Sequence, residues 1–145
     1  TRAKFDMPGN KLHSFEVKTC GDSRCGTCAH IQTGSSIKLV NGKIVRPNWN
    51  FTCKSKNLLY IINCEGCKES YIGQTGNSLC ERVRVHKQQI RDPRTRKIPL
   101  SEHIDICGNK DFKIFPFYKC LDEDQTKRLT REQHFIEVFK PKLNG

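Results

Sequence analysis

The chain has 145 residues, enough for one domain or two small ones, and its hydrophobic share of 35% predicts a modest core. No stretch approaches the roughly 18 consecutive apolar residues of a membrane span, and no secretory signal is visible, so no membrane partner is expected. The net charge of +11 is spread along the chain and favours a nucleic-acid partner over a merely solvated basic surface. Because the sequence begins at Thr1 without Met, we expect it to be a segment of a longer polypeptide.

Nine cysteines are far above average usage, and their odd number argues against a fully paired disulfide framework. Pairs spaced Cys-x2-Cys can bring two thiolates to one tetrahedral zinc ion. Metal binding is therefore favoured over disulfides and over unbridged buried thiols. Cys80 and Cys120 have no evident partners in the sequence and are expected to be small buried hydrophobes.

The first cysteine cluster, in the segment CGDSRCGTCAHI, contributes to a predicted structural zinc site. Cys25 and Cys28 form the close pair, and Cys20 and the later Cys53 are expected to complete four ligands. His30 follows two residues after Cys28 and is kept as the reserve ligand.

Residues 58–76, LLYIINCEGCKESYIGQTG, have the apolar pattern of two strands joined by a short connector. Tyr60 lies in the first strand, Tyr71 lies in the second, and the connector carries Cys64 and Cys67. Strand tyrosines taken singly are more often core residues with satisfied hydroxyls than functional groups.

The segment after the second strand predicts a helix. Ser78 and Glu81 have the spacing of a capping box, which places the helix start there. Arg82 and His86 are four residues apart and therefore share a face. The buried side is expected to carry Leu79, Val83 and Ile90.

A second pair of zinc ligands lies in the segment PLSEHIDICGNKDF. Ser101 can cap a short helix that puts His103 and Cys107 at i and i+4 on one face. With Cys64 and Cys67 they make a complete set, which would tie the hairpin to a distant helix and compensate for a thin core.

The remaining elements are a strand over residues 112–121 and a helix from about Asp124 to Lys140, ended by Pro141. Glu132 lies near the inward face of this helix, where a charge without a partner is costly, so we expect an ion pair or a bound metal. The apolar side is expected to hold Leu129, Phe135 and Ile136.

Several of these residues together resemble the GIY-YIG nuclease family, over about residues 57 to 145. The matching positions are Tyr60, YIG at 71–73, Arg82, His86, Glu132 and Asn144. The segment LLY stands where the family has Gly-Ile-Tyr. The Cys-x2-Cys between the tyrosine motifs, the distal ligand pair and the upstream cluster further resemble the endonuclease domain of Penelope-like retroelements. In those domains the distal pair is usually two histidines, and here it is His103 and Cys107.

Residues and resemblance together predict an α+β fold. A small, mainly antiparallel three-stranded sheet is flanked by helices and carries a zinc-binding N-terminal extension. Residues 1–52 are expected to form that Cys-rich extension, with Cys53 completing its site. Residues 53–145 are expected to form the nuclease domain with its inserted zinc site.

The resemblance implies a metal-dependent DNA endonuclease whose catalytic residues are Tyr60, Tyr71, Arg82, His86, Glu132 and Asn144. Glu132 would hold Mg²⁺ or Mn²⁺, and Arg82 would face the phosphate charge. One tyrosine, or His86, would act as the general base. Asn144 would orient the substrate or a neighbouring side chain, and Gly73 would let the backbone approach the site.

The retroelement resemblance implies that the enzyme nicks a target duplex to supply a 3'-hydroxyl primer for reverse transcription. It implies fusion or binding to a reverse transcriptase with its RNA template, action in the nucleus, and two structural zinc ions. The alternative is a non-catalytic zinc-stabilised nucleic-acid-binding module, in which the inward carboxylate of Glu132 near Arg82 would have no use. A zinc-dependent protein-interaction module leaves the charge of +11 unexplained.

Overall fold

The computed structural model describes residues 15–91, 107, 111–121 and 124–144. Within these residues the structure has five strands and two complete α-helices, together with two short 3₁₀ helices. The strands are β1 (Ile37–Lys38), β2 (Ile44–Val45), β3 (Leu58–Cys64), β4 (Ser70–Thr75) and β5 (Phe112–Lys119). The helices are α1 (Leu79–Arg91) and α2 (Gln125–Phe139), and the 3₁₀ helices are Cys28–His30 and Lys142–Asn144.

The main sheet has three strands in the order β4-β3-β5, and both strand pairs are antiparallel. The predicted fold class is therefore confirmed. Residues 58–62 of the central strand are all completely buried, which is the environment that the continuous apolar run LLYII indicates. The two strands β1 and β2 form a separate small antiparallel hairpin.

Helix α1 begins as its sequence predicts. The Ser78 hydroxyl accepts a hydrogen bond from the Glu81 N–H (3.3 Å) and donates one to the Glu81 carboxylate (2.9 Å). The buried residues of α1 are Leu79, Val83, His86 and Ile90. The apolar side was predicted correctly, and His86 joins it.

Helix α2 begins at its N-cap Asp124, whose side chain accepts from the Thr126 N–H at 2.8 Å. It ends at Lys140, which adopts the left-handed conformation directly before Pro141. The predicted apolar side was wrong at Leu129, which is 44% exposed, and the buried residue of this helix is Arg128.

The N-terminal extension and the sheet share one hydrophobic core, to which Val17, Ile31 and Phe51 contribute beside the strand residues. Ile31 forms a parallel bridge with Ile114 of β5. The expected boundary between residues 52 and 53 falls within this continuous packing, and the division into two domains stays a prediction. No helix in the described part of the chain is long and apolar enough to cross a membrane.

The segment before β3 also supplies hydrogen bonds to the ends of both helices. The carbonyls of Ser55 and Cys53 accept from the N–H groups of Leu79 (2.9 Å) and Cys80 (2.8 Å), in the first turn of α1. The Asn41 side-chain amide donates to the carbonyl of Phe139, the last residue of α2, at 2.9 Å. These contacts satisfy terminal backbone groups that a helix leaves without partners of its own.

Candidate active site and cysteine clusters

The two tyrosines of the hairpin project from the same face of the sheet. In the antiparallel register Tyr60 lies opposite Gly73, and Ile62 lies opposite Tyr71, so positions 60 and 71 share a face. Both rings pack edge-on against the imidazole of His86, with centroid distances of 5.7 Å and 6.3 Å. The strands therefore bring both tyrosines to α1.

The hydroxyl of Tyr60 is the centre of a buried hydrogen-bond network. Tyr60 is 0% exposed, and its hydroxyl accepts from Nε of Arg82 at 3.0 Å. The same hydroxyl lies 2.8 Å from Nε2 of His86. The i, i+4 spacing of Arg82 and His86 thus places both side chains on one tyrosine oxygen, as their shared face predicts.

Burial keeps Tyr60 and His86 neutral near pH 7. It raises the pKa of Tyr60, and the positive charge of Arg82 only partly opposes this rise. Burial, aided by the same charge, lowers the pKa of His86 to about 3. The network therefore contains a neutral phenol and a neutral imidazole beside one fixed guanidinium charge.

Tyr71 is the more accessible of the two tyrosines, being half-buried where Tyr60 is fully buried. Burial raises the pKa of its hydroxyl, the negative charge of Glu132 raises it further, and Arg82 opposes both. Tyr71 is thus close enough to Glu132 and Arg82 to feel both charges.

Glu132 presents a half-buried carboxylate to this group from α2. Burial raises its pKa, and the charge of Arg82 lowers it. Within the described part of the chain the carboxylate has no hydrogen bond and no ion pair, so its oxygens are available. A single half-buried carboxylate can hold Mg²⁺, which is usually bound by one or two carboxylates, with waters and substrate phosphates as its other ligands.

Asn144 contacts the backbone next to Tyr71. Its side-chain oxygen accepts from the Ile72 N–H at 2.7 Å, and its side-chain nitrogen donates to the Ile72 carbonyl at 2.9 Å. The amide is thereby engaged at both ends by the edge strand β4. Asn144 thus holds the strand next to Tyr71, and its predicted role toward the substrate stays a prediction.

Arg128 is a buried charged residue of α2 that the sequence analysis missed. Its Nε donates to Gln74 at 3.0 Å, its Nη1 donates to Asn57 at 3.3 Å, and its guanidinium packs over Gly76. It therefore ties α2 to the open end of the β3–β4 hairpin, where β3 begins and β4 ends. Its spacing of four residues before Glu132 was the available signal, because it puts both side chains on one face of α2.

The four predicted cysteines of the first cluster come together. The sulfurs of Cys20, Cys25, Cys28 and Cys53 all lie within 4.8 Å of one another, and two of the pairs are 3.6 Å and 3.7 Å apart. Sulfurs bound at about 2.3 Å to a tetrahedral zinc ion would lie about 3.8 Å apart. A backbone hydrogen bond from Cys28 is the main cause that lowers the pKa of Cys25 to about 7, which favours the metal-binding thiolate.

The reserve ligand His30 lies outside this group. Its ring stacks on Phe112 with a centroid distance of 4.6 Å, and its Nδ1 lies 3.1 Å from the Phe112 carbonyl. The four-cysteine set thus needs no histidine. All nine cysteines lie in the described segments, and none of them forms a disulfide.

Three of the four predicted ligands of the second cluster also come together. The sulfurs of Cys64, Cys67 and Cys107 lie within 4.8 Å of one another, and those of Cys64 and Cys107 are 3.8 Å apart. The fourth predicted ligand, His103, and its helix cap Ser101 lie outside the described residues. The connector of the β3–β4 hairpin is thus joined to a segment more than forty residues later.

A family model described as the GIY-YIG catalytic domain matches residues 56–144, which is more than half of the chain. The match contains every residue of the tyrosine network together with Glu132 and Asn144. The four cysteines of the first cluster precede it. No curated protein and no solved structure matches the chain significantly.

Proposed function

Because this chain belongs to the GIY-YIG family, whose catalytic domains are nucleases, we propose that it is a metal-dependent DNA endonuclease. The observation that carries the proposal is the arrangement around Arg82. Its guanidinium is anchored to the buried Tyr60 hydroxyl and shares its surroundings with the carboxylate of Glu132 and the phenol of Tyr71. A fixed positive charge, an oxygen ligand for a cation and a proton acceptor are what phosphodiester hydrolysis requires.

Arg82 would bind the scissile phosphate. Its Nε is held by Tyr60, and its Nη groups have no hydrogen bond to a described residue, so the planar fork is left for phosphate oxygens. Because Tyr60 holds Nε in place, the guanidinium would not need to reorganise as negative charge develops on those oxygens.

Glu132 would hold the divalent cation, Mg²⁺ or Mn²⁺. Its half-buried carboxylate fits a hard cation that takes its other contacts from water and phosphate. When bound, such a cation neutralises negative charge on the phosphate oxygens and polarises water.

Tyr71 would contact the attacking water. Tyr60 is 0% exposed and already has two hydrogen-bond partners, whereas the Tyr71 hydroxyl is half-buried and has none among the described residues. Its raised pKa keeps Tyr71 protonated before substrate binds, so its hydroxyl would first orient the water. To act as the general base, Tyr71 would release its own proton to solvent, a loss that Arg82 and the bound cation would favour, and would then take the proton of the attacking water. Tyr60 and His86, both neutral, would position Arg82.

We also propose the wider role that the cysteine pattern suggests. The chain would nick target DNA to supply a 3'-hydroxyl primer for reverse transcription of a Penelope-like retroelement. It would act in the nucleus, fused or bound to a reverse transcriptase and its RNA template. The two cysteine clusters, with His103 as the eighth ligand, would hold two structural zinc ions.

Purified protein should be incubated with supercoiled plasmid, with and without Mg²⁺. We expect metal-dependent conversion to nicked circles whose ends a DNA polymerase extends, because the proposed product carries a free 3'-hydroxyl. Binding without cleavage in Mg²⁺ and in Mn²⁺ would contradict a nuclease. Cleavage that leaves ends the polymerase cannot extend would contradict the priming role alone.

A further inference from the structure

A groove of about 620 Å³ lies beside α2 and the end of β5. Its volume is in the range of sites that hold a small organic molecule. Ten residues from three segments of the chain line it. They are Asn48, Trp49, Tyr118, Lys119, Cys120, Leu121, Lys127, Thr130, Arg131 and His134.

The helix side of the groove is positively charged. Lys127, Arg131 and His134 follow one another at spacings of four and three residues, so they form one stripe along α2, and all three are exposed. Lys119 adds a fourth basic side chain. None of the described residues that line the groove is acidic, so the groove suits an anion.

The same groove presents two aromatic rings. The Arg131 guanidinium lies 5.2 Å from the centroid of the Tyr118 ring, and Trp49 is 44% exposed. Trp49 is held in place through its neighbour Asn48, whose N–H donates to the Phe117 carbonyl (3.0 Å) and whose side chain accepts from the Lys119 N–H (2.7 Å). The backbone at Trp49 is therefore fixed to the edge of the sheet, and its exposed ring stacks on Phe15 with a centroid distance of 6.4 Å.

From these contacts we infer that the groove binds an unpaired segment of the DNA substrate strand, with a base stacked on Trp49 and its phosphates on Lys127 and Arg131. Fixed aromatic rings beside cations are how proteins hold single strands, because every base has a face that can stack. A paired base in a duplex has no such face free. That the bound strand is DNA rests on the proposed function. The exposed Trp49 ring and the basic side chains of the groove are observed independently of that proposal.

The groove and the candidate active site share helix α2 but no residue. Successive residues project about 100° apart around a helix, so Arg131 and Glu132 face different sides of α2, and Glu132 is the one close enough to Arg82 to be affected by its charge. A DNA strand bound along this side of α2 would emerge from the groove close to the scissile position. The groove would thus favour DNA that is unpaired next to the cleavage site.

The chain has one tryptophan, so its fluorescence reports on this groove alone. Zinc-loaded protein in a buffer without Mg²⁺ or Mn²⁺ and without chelator should be titrated with an oligodeoxythymidine of about ten nucleotides and with a blunt duplex of equal length. We expect the single strand to quench Trp49 strongly and the duplex to do so at least about tenfold more weakly. Equal quenching by both, no quenching by either, or tighter binding of the matching RNA strand would overturn the inference.

Labelled single-stranded DNA gives a second readout that does not need Trp49. Arg131→Ala and Trp49→Ala should each weaken binding by about tenfold, and Trp49→Phe should restore most of it. Lys43→Ala removes the same charge outside the groove and is the control; an equal loss in Lys43→Ala and Arg131→Ala would overturn the inference. Glu132→Gln should bind the single strand at least as tightly as wild type does, so loss of cleavage and loss of binding in the groove are distinguished.

Discussion

Gly73 lies directly opposite Tyr60 in the β3–β4 ladder, and the tyrosine ring occupies the space into which a side chain at position 73 would project. A Cβ at Gly73 would overlap the Tyr60 hydroxyl and the ring carbons beside it. Because this hydroxyl holds Arg82 and His86, the glycine is required by the packing of the network and not by an unusual backbone conformation.

Gly73→Ala should therefore displace Tyr60 and lower both stability and cleavage. Forcing a methyl group into this packed site should cost about 1–3 kcal/mol of the free energy of unfolding, measured by urea denaturation. Gly26→Ala is the matched control, since a Cβ there meets nothing closer than the Lys87 Nζ at 3.9 Å. Equal stability of the two variants would contradict the close packing of Tyr60 on position 73.

Glu132→Gln should separate cleavage from binding. The amide keeps the shape of the side chain and loses the charge that would hold Mg²⁺, so plasmid cleavage should fall by orders of magnitude. DNA binding in the absence of Mg²⁺ and Mn²⁺, with the structural zinc retained, should persist or tighten, because one negative charge facing phosphate is removed. Arg84→Ala, exposed on α1, should reduce binding slightly and leave chemistry nearly normal. Wild-type cleavage by Glu132→Gln would make the binding-module alternative the better interpretation.

The two tyrosines should respond differently to loss of their hydroxyls. Tyr60→Phe leaves Nε of Arg82 and Nε2 of His86 without their buried partner, which should cost about 1–3 kcal/mol of stability as well as activity. Tyr71→Phe should leave stability nearly unchanged and reduce the cleavage rate about a hundredfold or more. Thermal unfolding and single-turnover cleavage measure both. If Tyr71→Phe cleaves normally while Tyr60→Phe is inactive but stable, the assignment of Tyr71 to the water is wrong.

Elemental analysis should find two zinc ions per chain. Cys64→Ser should unfold the sheet region, because structural zinc supplies folding free energy and this site ties the hairpin to a distant segment. Cys25→Ser should remove one zinc ion and disturb mainly the N-terminal extension. Cys80→Ser is the control, since its sulfur belongs to neither cluster, and it should retain both ions. A zinc content of one or none in the wild-type protein would refute the two-site proposal.

His86 should make stability decrease as the pH is lowered through a defined window. Its pKa is about 3 in the folded protein and about 6.5 when unfolded, so between these values the unfolded chain binds one more proton. Stability from this group is complete above pH 6.5 and should fall by about 1.4 kcal/mol for each pH unit below it. His86→Gln should lose this slope in urea titrations between pH 7 and pH 4.5. Exposed His134→Gln should keep it, and identical slopes in wild type and His86→Gln would exclude the effect.

Much of the site followed from local spacing. The separation of Arg82 and His86 predicted a shared face, and the cysteine spacings predicted which sulfurs of the first cluster meet. Both predictions depend on the geometry of one helix or of one ion and its ligands, which neighbouring residues determine.

The features that spacing did not predict depend on distant partners. Arg128 is buried in place of Leu129 because Gln74 and Asn57, more than fifty residues earlier, accept its hydrogen bonds. Helical periodicity alone ranks leucine as the inward residue and has no information about such acceptors. The contact of Asn144 with the backbone of Ile72 was unpredictable for the same reason.

Hydrogen bonds from the segment before β3 to the ends of α1 and α2 mean that the residues matched by the family model are fewer than the residues that the fold uses. The stretch that matches the family begins at residue 56, after Asn41 and Cys53. A fragment trimmed to that start would leave the Cys80 N–H and the Phe139 carbonyl without these partners and would uncover the part of the core that Phe51 completes. We therefore expect the smallest piece of this chain that folds to reach back past the family match to Val17, whose side chain belongs to the shared core.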